Sequence, residues 1–115
     1  MTSDPTCLFC RIVRGEIPAK IVHETADTVA FCDISPQAPY HVLVIPRDHV
    51  PTLNDVDDPA LVGRLAMVAA EIAKREGYAE RGYRTVINTN ADANQTVFHV
   101  HLHLLAGRVF KWPPG

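Results

Sequence analysis

A chain of 115 residues, 47% of them apolar, is one domain's worth of polypeptide and can bury a core without help from disulfides. Its 11 basic and 13 acidic side chains nearly cancel, to a formal charge of −2, which excludes the broad positive face that long nucleic acids need. The polar start is no secretory signal, and no uncharged apolar run approaches the roughly 20 residues of a membrane span, so the expectation is a cytoplasmic protein with neither membrane nor nucleic acid as partner. Residues 1–115 read as a single domain, with 1–5 a flexible N-terminus and 107–115 a C-terminal tail.

The first expected element is a short helix over residues 8–14, stopped by Gly15. Residues 20–24 and 28–33, rich in β-branched and aromatic side chains, flank a turn at Thr25, Ala26 and Asp27 and read as an antiparallel hairpin. Pro36 and Pro39 break the pattern before a buried strand over 41–45 that ends at Pro46. Asp58 followed by Pro59 is a strong helix start, and apolar residues recur from Leu61 to Ala73 at helical spacing, predicting a long helix that runs to Glu76 before Gly77. A fourth strand is expected over 83–88 and a fifth over 98–105, separated by a polar run at 89–96. The prolines of the Trp112-Pro113-Pro114-Gly115 ending cannot continue a sheet.

Chemistry concentrates in the fifth of these strands. His99, His101 and His103 alternate with Val100, Leu102 and Leu104, so the three imidazoles are expected on one face, ~6.6 Å apart along the strand, with the aliphatics facing the core. A purely structural strand would carry Thr, Ser or Lys on its polar face. Two functional readings follow. Histidines at i and i+2 can chelate zinc. Alternatively, imidazole is largely uncharged at neutral pH and can attack phosphorus itself, giving a phosphohistidine that water then hydrolyses. Cys7 and Cys10 make a second, moderate signal, a Cys-x-x-Cys pair that supplies two of four zinc ligands; His49 and His99 are the natural partners, and Cys32 reads as core.

The His-x-His-x-His pattern with two following aliphatics resembles the signature of the histidine triad (HIT) superfamily. Residues 31–39, 41–46, Asn88, Gln95 to Val97 and the Trp-Pro-Pro-Gly ending resemble its nucleotide-binding protein branch over nearly the whole chain. The resemblance implies an α+β fold, a five-stranded antiparallel sheet with one long and one short helix, in a homodimer. It also implies purine nucleoside phosphoramidase activity with no magnesium requirement. By the same resemblance His101 is the nucleophile, His103 lies against the phosphate, and His41 and His99 support the nucleophile. Asp33 accepts the ribose hydroxyls, and Leu8, Phe9, Ile12, Phe31 and Ile34 form the slot for the base. Asn88, Asn94, Gln95, Thr96 and Val97 form the phosphate loop, with the Thr96 hydroxyl serving the leaving amine. Cys7, Cys10, His49 and His99 match a structural zinc site in metal-binding members. Two positions depart from the branch pattern: Asn94 replaces a common glycine, although asparagine enters left-handed conformations readily, and Lys111 replaces a frequent histidine. The competing functions are a nucleotide-binding regulatory protein with vestigial hydrolysis, a dinucleoside polyphosphate hydrolase, against which the ending speaks, and a plain zinc module, which leaves His101 and His103 idle.

Overall fold

The computed structural model describes residues 2–115; Met1, at the head of the N-terminal segment, lies outside the described residues. Helix α1 (Leu8–Val13) is followed by strands β1 (Ile21–Glu24), β2 (Thr28–Cys32) and β3 (Tyr40–Pro46), helix α2 (Pro59–Arg75), and strands β4 (Arg84–Val86) and β5 (Leu102–Ala106). The five strands form one antiparallel sheet in the order β1-β2-β3-β5-β4. This is the expected α+β arrangement of a short helix, a long helix and a five-stranded sheet.

Each local signal has a visible cause. Thr25 turns the hairpin by accepting the Asp27 and Thr28 amides on its hydroxyl, and the Thr28 carbonyl takes the Thr25 amide. Asp58 accepts the Ala60 amide at 3.0 Å, capping α2 in front of Pro59. Gly15 adopts φ +76°, the left-handed geometry that lets the chain leave α1. The period-two pattern of the strands then sorts side chains to two faces. On one, Leu65, Ala69, Ile72 and Ala73 of α2 pack on Ala30, Val42, Val44, Leu102 and Leu104. On the other, Cys7, Phe9 and Cys10 pack on Val29, Phe31, Leu43 and Ile45. Six-residue α1 covers only part of this second face, so the rest is left for a cleft.

Because Leu65 is fully buried against this closed face, Leu65→Ala should destabilise the fold by about 3 kcal/mol, measurable as a lowered urea midpoint. An unchanged midpoint would mean that the α2 face is not the main core.

β1 and β2 each fall one residue short of the expected ranges, and two further strands are three residues shorter. β4 covers 84–86 rather than 83–88, because only Arg84, Thr85 and Val86 find partners on β5. β5 begins at Leu102 rather than at Phe98. Its partner β3 ends at Pro46, which has no amide to donate, and the Val100 amide bonds instead to Val50 O in the following loop. His99 and His101 therefore lie on the approach to the strand, held by loop contacts, and only His103 sits in the ladder.

Candidate active site and metal centre

The register of β3 and β5 builds the floor of the cleft: His103 lies opposite Leu43, and His41 opposite Leu105. Both histidines and both leucines line a cavity of about 770 Å³ on the α1 face. Phe9 of α1 forms one wall, its ring edge-on to Phe31 at 5.3 Å and to His101 at 5.1 Å between centroids. Leu8, Ile12, Phe31 and Ile34 complete the apolar side; Ile34 is a rim residue, 99% exposed, rather than a buried wall. Asp33, Asn88, Asn94, Thr96 and Val97 also line the cavity.

The expected site residues are thus brought together, with two exceptions that face elsewhere. Gln95 is buried behind the loop, where its amide group donates to Pro51 O and Val97 O and accepts the Asn90 amide, so it shapes the loop from within. His99 points to the cysteines. Asn94 takes φ +64° and ψ +39°, the left-handed conformation that a glycine would otherwise supply.

Hydrogen-bond partners determine where the ring protons sit. His101 Nδ1 lies 2.8 Å from the His99 carbonyl, which can only accept, so the proton is on Nδ1 and the Nε2 lone pair is free. The Gln37 amide donates to His41 Nδ1 at 3.0 Å, so the His41 proton is on Nε2. That proton faces His103 Nδ1 at 2.9 Å and Asp33 Oδ2 at 3.4 Å. His103 Nδ1 is then an acceptor and its Nε2 a donor. One free nucleophilic nitrogen and one free N–H donor stand on neighbouring rings, 5.0 Å apart between centroids. Asp33 is oriented by the Ser35 amide, which donates to Oδ1 at 2.8 Å.

Burial keeps these rings neutral. It depresses the pKa of His101, whose carbonyl contact to His99 and nearby Asp33 work the other way, and likewise that of His41, opposed by Asp33. His103 is pushed down to about 4, by burial first and then by its like-charged neighbours His101 and His41. The unfolded chain takes up a proton near pH 6.5 that folded His103 refuses, so acidification below that value costs stability and the loss continues down to about 4. Between pH 7 and pH 5 the melting temperature should therefore fall, and His103→Gln should make that slope shallower, while buried His41 and His101 keep part of it. A slope as steep after the substitution as in wild type would contradict it.

Behind the cleft, Cys7, Cys10, His49 and His99 place one ligand atom each within 4.8 Å of one another. Cys7 Sγ and Cys10 Sγ both lie 3.5 Å from His99 Nδ1, and Cys10 Sγ lies 3.3 Å from His49 Nδ1. Tetrahedral zinc with sulfur at ~2.3 Å and nitrogen at ~2.0 Å would separate its ligands by roughly 3.5 Å. The donor set fits the ion in tautomer as well: His99 Nε2 donates to Pro46 O at 2.8 Å, which leaves Nδ1 to bind metal. The Asp4 carboxylate stands 4.0 Å from His49 Nε2. His99 is wholly buried, and it joins the two sites, its ring among the cysteines and its carbonyl on His101.

Residues 14–110 match the family model described as the HIT domain. This chain belongs to the HIT domain family. Among HIT relatives, the purine nucleoside phosphoramidase of Escherichia coli (strain K12) is 50% identical over 103 residues, 88% of this chain and 87% of that protein. The HIT family hydrolase from Legionella pneumophila Philadelphia 1 superposes with a TM-score of 0.93 at 50% identity, covering 96% of this chain and all of that one. A zinc-bound histidine triad family protein from Mycobacterium smegmatis has a TM-score of 0.81 at 40% identity, covering 90% of this chain and 76% of that one. The HIT fold expected from the histidine pattern is the fold observed.

Several lining groups escape a reading of the sequence. Ile17, Pro18 and Ala19 form part of the cleft wall, although an apolar trio after Gly15 could have suggested them. Leu43 and Leu105 become visible only once register is known. The Gln37 contribution is a backbone amide, for which no side-chain signal exists.

Proposed function

We propose that this chain is a phosphoramidase-type hydrolase, which releases a purine nucleoside 5'-monophosphate from a phosphoramidate or related adenylate through a nucleotidyl-His101 intermediate. The observation that carries this reading is the His101 tautomer: Nδ1–H is committed to the His99 carbonyl, leaving Nε2 as the attacking nitrogen of a ring that lines the cleft. The identity to a purine nucleoside phosphoramidase supports the substrate class.

In the first step the Nε2 lone pair bonds to phosphorus and the phosphorus–nitrogen bond of the substrate breaks, its electron pair leaving with the amine. Positive charge grows on the His101 ring, where the His99 carbonyl faces Nδ1–H and stabilises it. His103 Nε2–H donates to a phosphoryl oxygen, and the Thr96 hydroxyl supplies a proton to the departing amine. Water then attacks phosphorus and gives up a proton that restores the Thr96 hydroxyl, the bond to Nε2 breaks with its electron pair returning to His101, and the monophosphate leaves. Asp33 receives the ribose hydroxyls on the carboxylate that Ser35 orients, and the slot between Phe9, Ile12 and Phe31 takes the base. Acid quenching is avoided and the mixture denatured in base, where a phosphohistidine survives; the intact mass should then show the protein plus one nucleotidyl group. Absence of that adduct together with undiminished turnover would overturn the covalent route.

The cysteine and histidine cluster is proposed as a structural zinc site, in which the ion would neutralise two thiolates and hold the His99 ring. A cytoplasmic setting suits a site that needs reduced thiols. The proposed homodimer extends the sheet through β4, an edge strand paired on one side. Val109 and Trp112 of the tail expose apolar surface that a partner would cover.

A further inference from the structure

The proton arrangement of the His41–His103 pair depends on one backbone amide, that of Gln37, and the loop carrying it is braced from outside. Its inner ties are local: Ser35 N–H donates to Asp33 Oδ1, and Gln37 Nε2 donates to Ser35 O at 2.9 Å. From the other side the segment after β5 closes on the same loop. Gly107 has φ +96°, and a Cβ there would come within 2.9 Å of Pro39 Cβ, so backbone packs directly on proline ring. The next residue, Arg108, donates from Nε to the Gln37 carbonyl at 3.2 Å.

The arginine is itself held in place. Its guanidinium lies 4.2 Å from the centroid of the Phe110 ring, Arg84 lies 5.1 Å from the same ring, and Arg84 Nη2 donates to Lys111 O. Arg11, Arg14, Arg47, Arg64 and Arg75 each stand within 4.0 Å of a carboxylate; Arg108, like Arg81 and Arg84, has no such partner among the described residues. Its polar contacts are backbone carbonyls, those of Gln37 and Val109. A guanidinium fork stacked on an aromatic ring and bonded to a carbonyl serves geometry rather than charge pairing.

We propose that Arg108 is a positioning residue for the reaction: by holding the Gln37 carbonyl it keeps the Gln37 amide on His41 Nδ1, and so keeps the protons of His41 and His103 on Nε2. The inference rests on the functional reading above for its catalytic consequence, not for its structural content. If the amide drifts, the His41 proton can move to Nδ1 and Nε2 becomes an acceptor. His103 must then carry its own proton on Nδ1 to satisfy the pair, and it loses the N–H that would meet the phosphoryl oxygen.

The test compares wild type, Arg108→Ala and Arg108→Lys by imidazole ¹⁵N NMR, steady-state turnover of adenosine 5'-phosphoramidate, and thermal melting. In wild type the His41 and His103 resonances should report single tautomers with unprotonated Nδ1. Arg108→Ala should show mixed tautomers and a kcat about fivefold lower, the rate equivalent of one net hydrogen bond, with KM little changed. Arg108→Lys can still donate to the carbonyl but loses the stack on Phe110, so it should fall between and serves if the alanine variant folds poorly. Wild-type tautomers in a folded variant would overturn the proposal, even with a lowered melting temperature. If wild type and variants alike fail to turn over the phosphoramidate yet the tautomers shift as stated, the substrate reading fails and the positioning role stands.

Discussion

His101→Ala should slow the release of adenosine monophosphate from adenosine 5'-phosphoramidate by about 10⁴-fold, with KM changed by no more than about threefold. The asymmetry follows from what the ring touches. Among the described residues His101 supplies the only imidazole of the cleft whose Nδ1–H is bonded to a carbonyl acceptor, and so the only free Nε2 lone pair there. His41 and His103 bond to each other and cannot replace it without giving up that bond. The proposed base and ribose contacts, through Phe9, Ile12, Phe31 and Asp33, would be left in place, so ground-state binding should persist. The variant should also form no nucleotidyl adduct. Removal of a 7%-exposed ring leaves the His99 carbonyl without its donor, and melting curves are needed to separate lost chemistry from lost fold. Equal release by variant and wild type would sink the catalytic assignment.

Stripping the metal centre should have the second largest effect. A bound ion that is present at ~1,000 times its dissociation constant stabilises the folded state by about 4 kcal/mol, which in a domain near this size is roughly 15 °C or more of melting temperature. Overnight incubation with a strong chelator should therefore lower the melting temperature by about that much, and zinc added back should restore it. Cys10→Ser should reproduce the loss, since Cys10 Sγ lies within 3.5 Å of a ring nitrogen of both histidines of the cluster. Elemental analysis of the purified protein should find about one zinc per chain, the number a single four-ligand site holds. A metal-free protein whose melting temperature is indifferent to chelator and to added zinc would refute the site.

Helix α2 was readable from residue types because its signals are local. Asp58 caps, Pro59 opens, and the apolar stripe has a helical period, so the observed Pro59–Arg75 falls one residue short of the expected end. β5 was overextended because alternation reports which way side chains point, not where a ladder stops. Val100 is buried as its place in the alternation requires, yet its amide goes to Val50, a partner fifty residues away that no pattern in 98–105 announces. The site divides in the same manner. His101, His103 and the Cys7–Cys10 pair carry chemistry in their side chains and could be named from type and spacing, whereas His41 and Asp33 are reached only through the resemblance to the HIT family. The Gln37 amide, the His99 carbonyl and the floor residues Leu43 and Leu105 act through backbone or register. Both are properties of the assembled chain.

The sheet that forms the cleft floor also forms the roof of the α2 core. Leu43 and Leu105 face the cavity, while their neighbours Val42, Val44 and Leu104 in the same two strands are locked into the other layer. Enlarging the cavity from below would therefore disturb two layers at once, whereas Leu8, Ile12, Ile34 and Asn94 border it from segments outside the ladder. Divergence toward new leaving groups or bases has a cheap route at this border and a costly one through the floor. A library randomised at the four border positions should yield folded proteins with shifted substrate preference far more often than one randomised at Leu43 and Leu105.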